Sequence, residues 1–227
     1  MNIADQSGLI VLSPAERAQA AQQVACLARA RCLLRGRWRL RDIDFAMPDD
    51  PALLILLYFI PPLWMVAGIA DWFCHRRSDI ARTSGAKESW LHMLMFAQMG
   101  SALLACLFLE INALIFAFVI AMFFAHEATA LWDVSYAHSR RRISPVEQHI
   151  HSFLELLPLL AIVLLAVRHW DAFLSLFGQG QTAASWTPQW KTQPLPAAYI
   201  YTLLAAGLFL EILPYLEELL RGMRKRR

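Results

Sequence analysis

Acidic and imidazole side chains recur in this chain at helical spacing. Asp71 and His75 form a D-x-x-x-H pair, and Glu88 and His92 form E-x-x-x-H. Glu147, His151 and Glu155 continue the same step as E-x-x-x-H-x-x-x-E, while His126 and Asp133 stand seven residues apart. Residues four or seven apart share one face of a helix, so each set can aim its side chains at one point. Carboxylates that bridge and neutralise, with imidazoles that complete each coordination sphere, are the donor set of a di-metal site inside a helix bundle. The expected ligands are therefore Asp71, His75, Glu88, His92, His126, Asp133, Glu147, His151 and Glu155. His92 and Glu155 carry particular weight, because an unpaired polar group inside an apolar run costs several kcal/mol.

Other chemical signals are weaker. His126-Glu127 opens like the zinc-protease pattern H-E-x-x-H, but residue 130 is Ala. Glu127 lies about 100° around the helix from His126 and is read as a bridging ligand, a second-layer partner or a general base. His138 and His149 read as solvated or capping residues. Glu110 and Glu211 are expected to lie away from the site, and Glu217 and Glu218, beside a basic tail, to be solvated ion-pair residues. The spacing differs from the E-x-x-H of ferritin-like bundles, and the clustered His boxes of membrane desaturases are missing. The four cysteines, Cys26, Cys32, Cys74 and Cys106, form no CxxC pair and imply neither a disulfide framework nor a zinc finger. Gly178-Gln179-Gly180 lacks the strand context of a nucleotide-binding loop.

The elements that must position these residues are membrane helices. The chain has 227 residues, 58% hydrophobic and 17% charged, with a mean hydropathy of +0.41. Soluble domains are typically ~45–50% apolar and ~25% charged. Charge-poor runs cover 52–70, 93–109, 111–125, 156–167 and 192–210, and a spanning helix needs ~20 mainly apolar residues. Glu88 to Asp133 as one helix would be over twice the ~30 Å bilayer core, so it must fold back near Leu109-Glu110-Ile111-Asn112. The pattern predicts an all-α integral membrane bundle of four to five transmembrane helices plus an N-terminal amphipathic helix over about 13–37. Full spans are expected over 88–109, 112–135, 148–168 and 196–218. Pro61-Pro62 predicts a broken, re-entrant segment over 52–72 with both ends on one face, and five complete spans are the alternative. The domain plan is a basic cytoplasmic N-terminal segment (1–50), the bundle with its metal site (51–220) and a basic tail (221–227).

Cations set the orientation. Arg76, Arg77, Arg82, Lys87, Arg140, Arg141, Arg142 and the C-terminal cluster fall on one face, against Arg168 and Lys191 on the other. The positive-inside rule makes the first face cytoplasmic and places the metal site near it, in a bacterial inner membrane. The first 30 residues lack the apolar core of a secretory signal. A net charge of +3 with no basic-aromatic motif excludes nucleic acid as the expected partner. The function expected is a non-haem di-metal oxidoreductase. It would hold two transition-metal ions, iron before manganese or zinc, and hydroxylate or desaturate a lipid-soluble substrate with electrons from a soluble donor. A zinc-dependent hydrolase of a lipid amide or ester is the alternative, and a transporter or haem-binding electron carrier the third reading.

Overall fold

The computed structural model describes residues 50–225. The amphipathic helix and basic segment expected before Asp50, and the last two arginines, lie outside the described residues. Five long helices form the bundle: α1 (Pro51–Arg77), α2 (Ala86–Phe108), α3 (Ala113–His138), α4 (Pro145–Arg168) and α6 (Ala197–Arg224). A short helix, α5 (Trp170–Ser175), follows α4. The shortest of the five has 23 residues, about 34 Å of helix, enough to cross a ~30 Å core. Among the described residues there is no β-strand, only an isolated bridge between Leu109 and Trp190.

The distribution of side chains is that of a protein solvated by lipid. Val66, Phe124, Leu131 and Val167 are all more than 60% exposed, while Asp71, His75, Glu88, His92, Asp133, Glu147 and Glu218 are buried. In water such an arrangement would leave the apolar surface uncovered, whereas a bilayer covers it. The chain is an all-α membrane bundle.

The fold-back between α2 and α3 lies at the expected place. Asn112 accepts from the Ile115 amide at 3.1 Å and caps α3. The 169–196 connection is tied to this hairpin. Glu110 N–H donates to the Gln189 carbonyl and Lys191 N–H to the Phe108 carbonyl. The Thr192 amide and hydroxyl both donate to Glu110, and these bonds hold its carboxyl below the usual carboxylate range. Glu110 therefore sits at the end of the bundle remote from Glu88, as expected.

One expectation is corrected. The segment over 52–72 does not turn back at Pro61-Pro62, because α1 runs on as one helix. Pro61 and Pro62 lack N–H groups, so the Leu57 carbonyl loses both its i+4 and its i+5 donor. The Tyr199 hydroxyl of α6 donates to that carbonyl at 2.7 Å. The turn before the prolines, Ile55–Phe59, is a π-helix, which accommodates the missing bonds without ending the helix. The start of α1 therefore lies at the opposite end of the bundle from Arg77, and Asp50 pairs there with Arg168. Of the expected basic tail, Arg221 and Arg224 continue α6 as helix. Near its end, α6 passes close to the start of α2, where a Cβ at Gly222 would meet the Ala86 amide nitrogen at 3.0 Å.

Candidate metal centre

With five alternating helices, the C-terminal parts of α1, α3 and α6 meet the N-terminal parts of α2 and α4 at one end. Asp71 and His75 come from α1, Glu88, Ser89 and His92 from α2, Asp133 from α3, Glu147 and His151 from α4, and Tyr215 and Glu218 from α6. Local sequence sets α4's contribution: Ser144 and Glu147 form a capping box, with Pro145 in the first turn. Three groups of donors lie close enough to hold an ion: Asp71, His75, Glu147 and His151; His75, His92 and Glu218; and Glu88, His92 and Asp133.

The two central imidazoles, His75 and His92, stack with ring centroids 4.4 Å apart and planes inclined by 6°. Glu218 spans both. Its Oε2 lies 3.2 Å from His75 Nδ1 and its Oε1 lies 3.2 Å from His92 Nδ1. Ser89 donates to Oε1 at 3.0 Å. A carboxylate only accepts, so each Nδ1 carries the proton and Nε2 points the other way. There each Nε2 meets another carboxylate: His75 at 3.3 Å from Asp71 and 3.7 Å from Glu147, His92 at 3.2 Å from Asp133. A neutral imidazole would thus present a lone pair to an acceptor. The contact needs a proton or a cation between nitrogen and oxygen: a second proton on the ring, a protonated carboxyl or a metal cation.

The charge count points the same way. Asp71, Glu88, Asp133, Glu147 and Glu218 are buried carboxylates, and the one buried guanidinium among them is Arg141. With neutral imidazoles four negative charges remain, which two divalent cations would balance. Buried charge that is left uncompensated is strongly destabilising. Arg141 forks between Glu88 (Nη2 to Oε1, 2.6 Å) and Glu147 (Nη2 to Oε1, 2.5 Å; Nη1 to Oε2, 3.0 Å). Burial alone would push this guanidinium's pKa down, but its bonds to Glu147 and Glu88 hold it above its ordinary value. Each carboxylate has two oxygens and about four acceptor positions, so the fork leaves capacity for an ion. On the far side, His151 Nε2 lies 2.9 Å from Asp71 Oδ1, and the Tyr215 hydroxyl donates towards Asp71 Oδ2 at 3.0 Å. His75 Nε2, Asp133 Oδ1 and His151 Nδ1 are buried with no hydrogen-bond partner. Such orphaned atoms are what a ligand set looks like before its ion is counted.

Seven of the nine expected ligands are brought together in these groups. His126 and Glu155 are not in them; both line an adjoining cavity of about 230 Å³, whose wall also includes Asp71, His92, Asp133 and His151. Glu127 lies in neither the groups nor the cavity wall. His138 and His149 are exposed, as expected. Glu217 is the solvated ion-pair residue expected of it, 3.1 Å from Arg76. Glu218 is not: it is fully buried at the centre of the cluster. Arg141 is likewise no simple topology signal, its side chain being only 4% exposed. A signal for Glu218 was present in the phase of α6, where Glu211, Tyr215, Glu218 and Gly222 are all buried on one face. No comparable signal singled out Arg141 from Arg140 and Arg142.

Apart from Glu211 and Tyr215, the rest of the cavity wall is apolar, and the cavity descends from the cluster between the helices. Leu104 and Leu204 belong to its wall and are 43% and 37% exposed, so it reaches the surface that lipid covers. Fold and site together define a membrane helical bundle with a buried carboxylate–histidine cluster above an apolar cavity. Comparison with protein-family models, with curated proteins and with solved structures finds no match for the chain.

Proposed function

We propose that this protein is a membrane oxidoreductase that holds two transition-metal ions in the cluster and oxidises a lipid-soluble substrate. The observation that carries the reading is the pair of imidazoles set between carboxylates on both sides, at the head of an apolar cavity. Asp71, His75, Glu147 and His151 would hold one ion, and Glu88, His92 and Asp133 the other. Glu218 would fix the tautomer and orientation of both central imidazoles, the usual task of a carboxylate behind a ligating histidine. A pair of iron ions in such a site supplies the activation of dioxygen; the nitrogen and oxygen donors suit manganese and zinc as well.

The rest belongs to the chain. Ligands drawn from four helices, with Glu218 of the fifth behind them, hold the cluster, the apolar walls exclude water, and the opening beside Leu104 and Leu204 admits a chain from the bilayer. The excess of arginine and lysine at the cluster end supports a cytoplasmic position for that end, within reach of a soluble electron donor. The stacked His75 and His92 rings leave no room for a macrocycle between them, which disfavours an axial pair for haem.

Metal analysis of protein extracted in detergent without chelators tests the proposal. The expected result is about two transition-metal ions per chain, in line with the charge count. His92→Ala and His151→Ala should each lower that content. Less than one ion per chain, or full retention by both variants, overturns the reading. One zinc per chain instead would favour the lipid hydrolase.

A further inference from the structure

Glu211 stands apart from the cluster's network. It is 6% exposed, it lines the apolar cavity, and neither carboxylate oxygen has a hydrogen-bond partner. Its place is made by Gly68 of α1, where a Cβ would overlap the carboxylate. It also belongs to the π-helical turn Gly207–Ile212, a local distortion that often marks a functional position. Tyr215, one turn on, reaches Asp71, so the cavity runs continuously from Glu211 to the cluster.

An acceptor pair of this kind, buried among apolar side chains, is costly unless something supplies donors. Among the described residues no lysine or arginine lines the cavity, and none of its histidines, His92, His126 and His151, hydrogen-bonds to Glu211. For Glu211 to be ionised, its donors must come with the occupant. A fatty acid would bring like charge and a fatty alcohol a single donor. A primary ammonium brings three donors and the opposite charge, and its hydrogen bonds to a carboxylate are of the stronger, charge-assisted kind. We infer that the cavity takes a single-chain amphiphile whose polar end is a primary ammonium seated on Glu211, with its hydrocarbon chain along the apolar wall. The inference rests on the proposed function only for its consequence, that such an amine is the substrate; the binding itself needs no metal.

The test is equilibrium binding of dodecylamine, dodecanol and dodecanoic acid to the detergent-purified full chain, with and without added iron. Dodecylamine should bind roughly tenfold or more tightly than either of the others, the scale of one charge-assisted hydrogen bond. Glu211→Gln should abolish that preference with metal content unchanged. Gly68→Ala, which displaces the carboxylate, should weaken amine binding in the same direction. Equal binding of the three amphiphiles by the unmodified protein, or an amine preference that survives Glu211→Gln, overturns the inference. If Glu211→Gln does not fold, the comparison on the unmodified protein decides alone. A metal-poor protein that still prefers the amine would refute the oxidoreductase and leave this site standing.

Discussion

Glu218 accepts from two imidazoles and a serine at once, and its effect is felt on the opposite side of each ring. Glu218→Gln keeps the shape but replaces one acceptor oxygen with a donor, so one Nδ1–H loses its partner. Metal affinity, read by competition with a chromophoric chelator, should fall about 10–100-fold. An unchanged affinity would show that Glu218 does not orient the ligands. Arg141 presents the converse case, a cation shared by two buried carboxylates. Removing one partner of a buried pair leaves uncompensated charge, so Arg141→Ala should destabilise the metal-free protein by about 3–5 kcal/mol in detergent unfolding. Arg141→Lys should recover only part of this, because an ammonium cannot fork between Glu88 and Glu147. The ligand candidates were legible because depth in an apolar run and phase on a helix are both written in the sequence: Asp71, His75, Glu88, His92, Asp133, Glu147 and His151 follow from those two quantities. Glu218 was misread because its neighbour Glu217 and the arginines after it suggested solvent, while the face it shares with Tyr215 and Gly222 said otherwise. Arg141 could not be distinguished from its flanking arginines without knowing which way the connection after α3 turns.

At the scale of the element, both irregular turns lie just before prolines. Ile55–Phe59 precedes Pro61-Pro62, and Gly207–Ile212 precedes Pro214. The first of these decides whether α1 crosses the membrane, and its remedy is a phenol 142 residues away in sequence. Local rules read Pro-Pro as a break because no local rule contains Tyr199. The consequence is measurable. Tyr199→Phe leaves the Leu57 carbonyl without a donor and should lower stability by about 1–3 kcal/mol. In a Pro61→Ala background the new amide can reach that carbonyl, so the same substitution should have a much smaller effect. Additive losses in this double-mutant cycle would mean that Tyr199 does not compensate for the prolines. The hairpin between α2 and α3, by contrast, was readable, because length alone forbids one helix from Glu88 to Asp133 and Asn112 supplies a cap.

At the scale of the molecule, the described residues contain five membrane-length helices, an odd number, and so the start of α1 and the cluster lie at opposite ends. Cysteines introduced singly into a background without the native ones should report this to a membrane-impermeant maleimide. Thr182→Cys and Pro51→Cys should react from outside the cell, and Thr83→Cys only after permeabilisation, with the arginine-rich end inside. Reaction of Pro51→Cys and Thr83→Cys from the same face would restore the re-entrant segment, and a full reversal would overturn the orientation. The class of fold was legible because five apolar runs leave few alternatives in lipid; the meeting of all five helices at one cluster depended on packing that no single run encodes. The place of Glu218 in α6 has a further bearing, on biogenesis. A ribosome delivers Asp71 and His75 first and Glu218 last, so through most of synthesis the two imidazoles exist without the residue that aligns them. Four helices can enter the membrane and still lack an oriented pair. The cluster is therefore complete only once α6 is in place, and under the proposed function a chain stopped early in Ala197–Arg224 is expected to insert without holding metal.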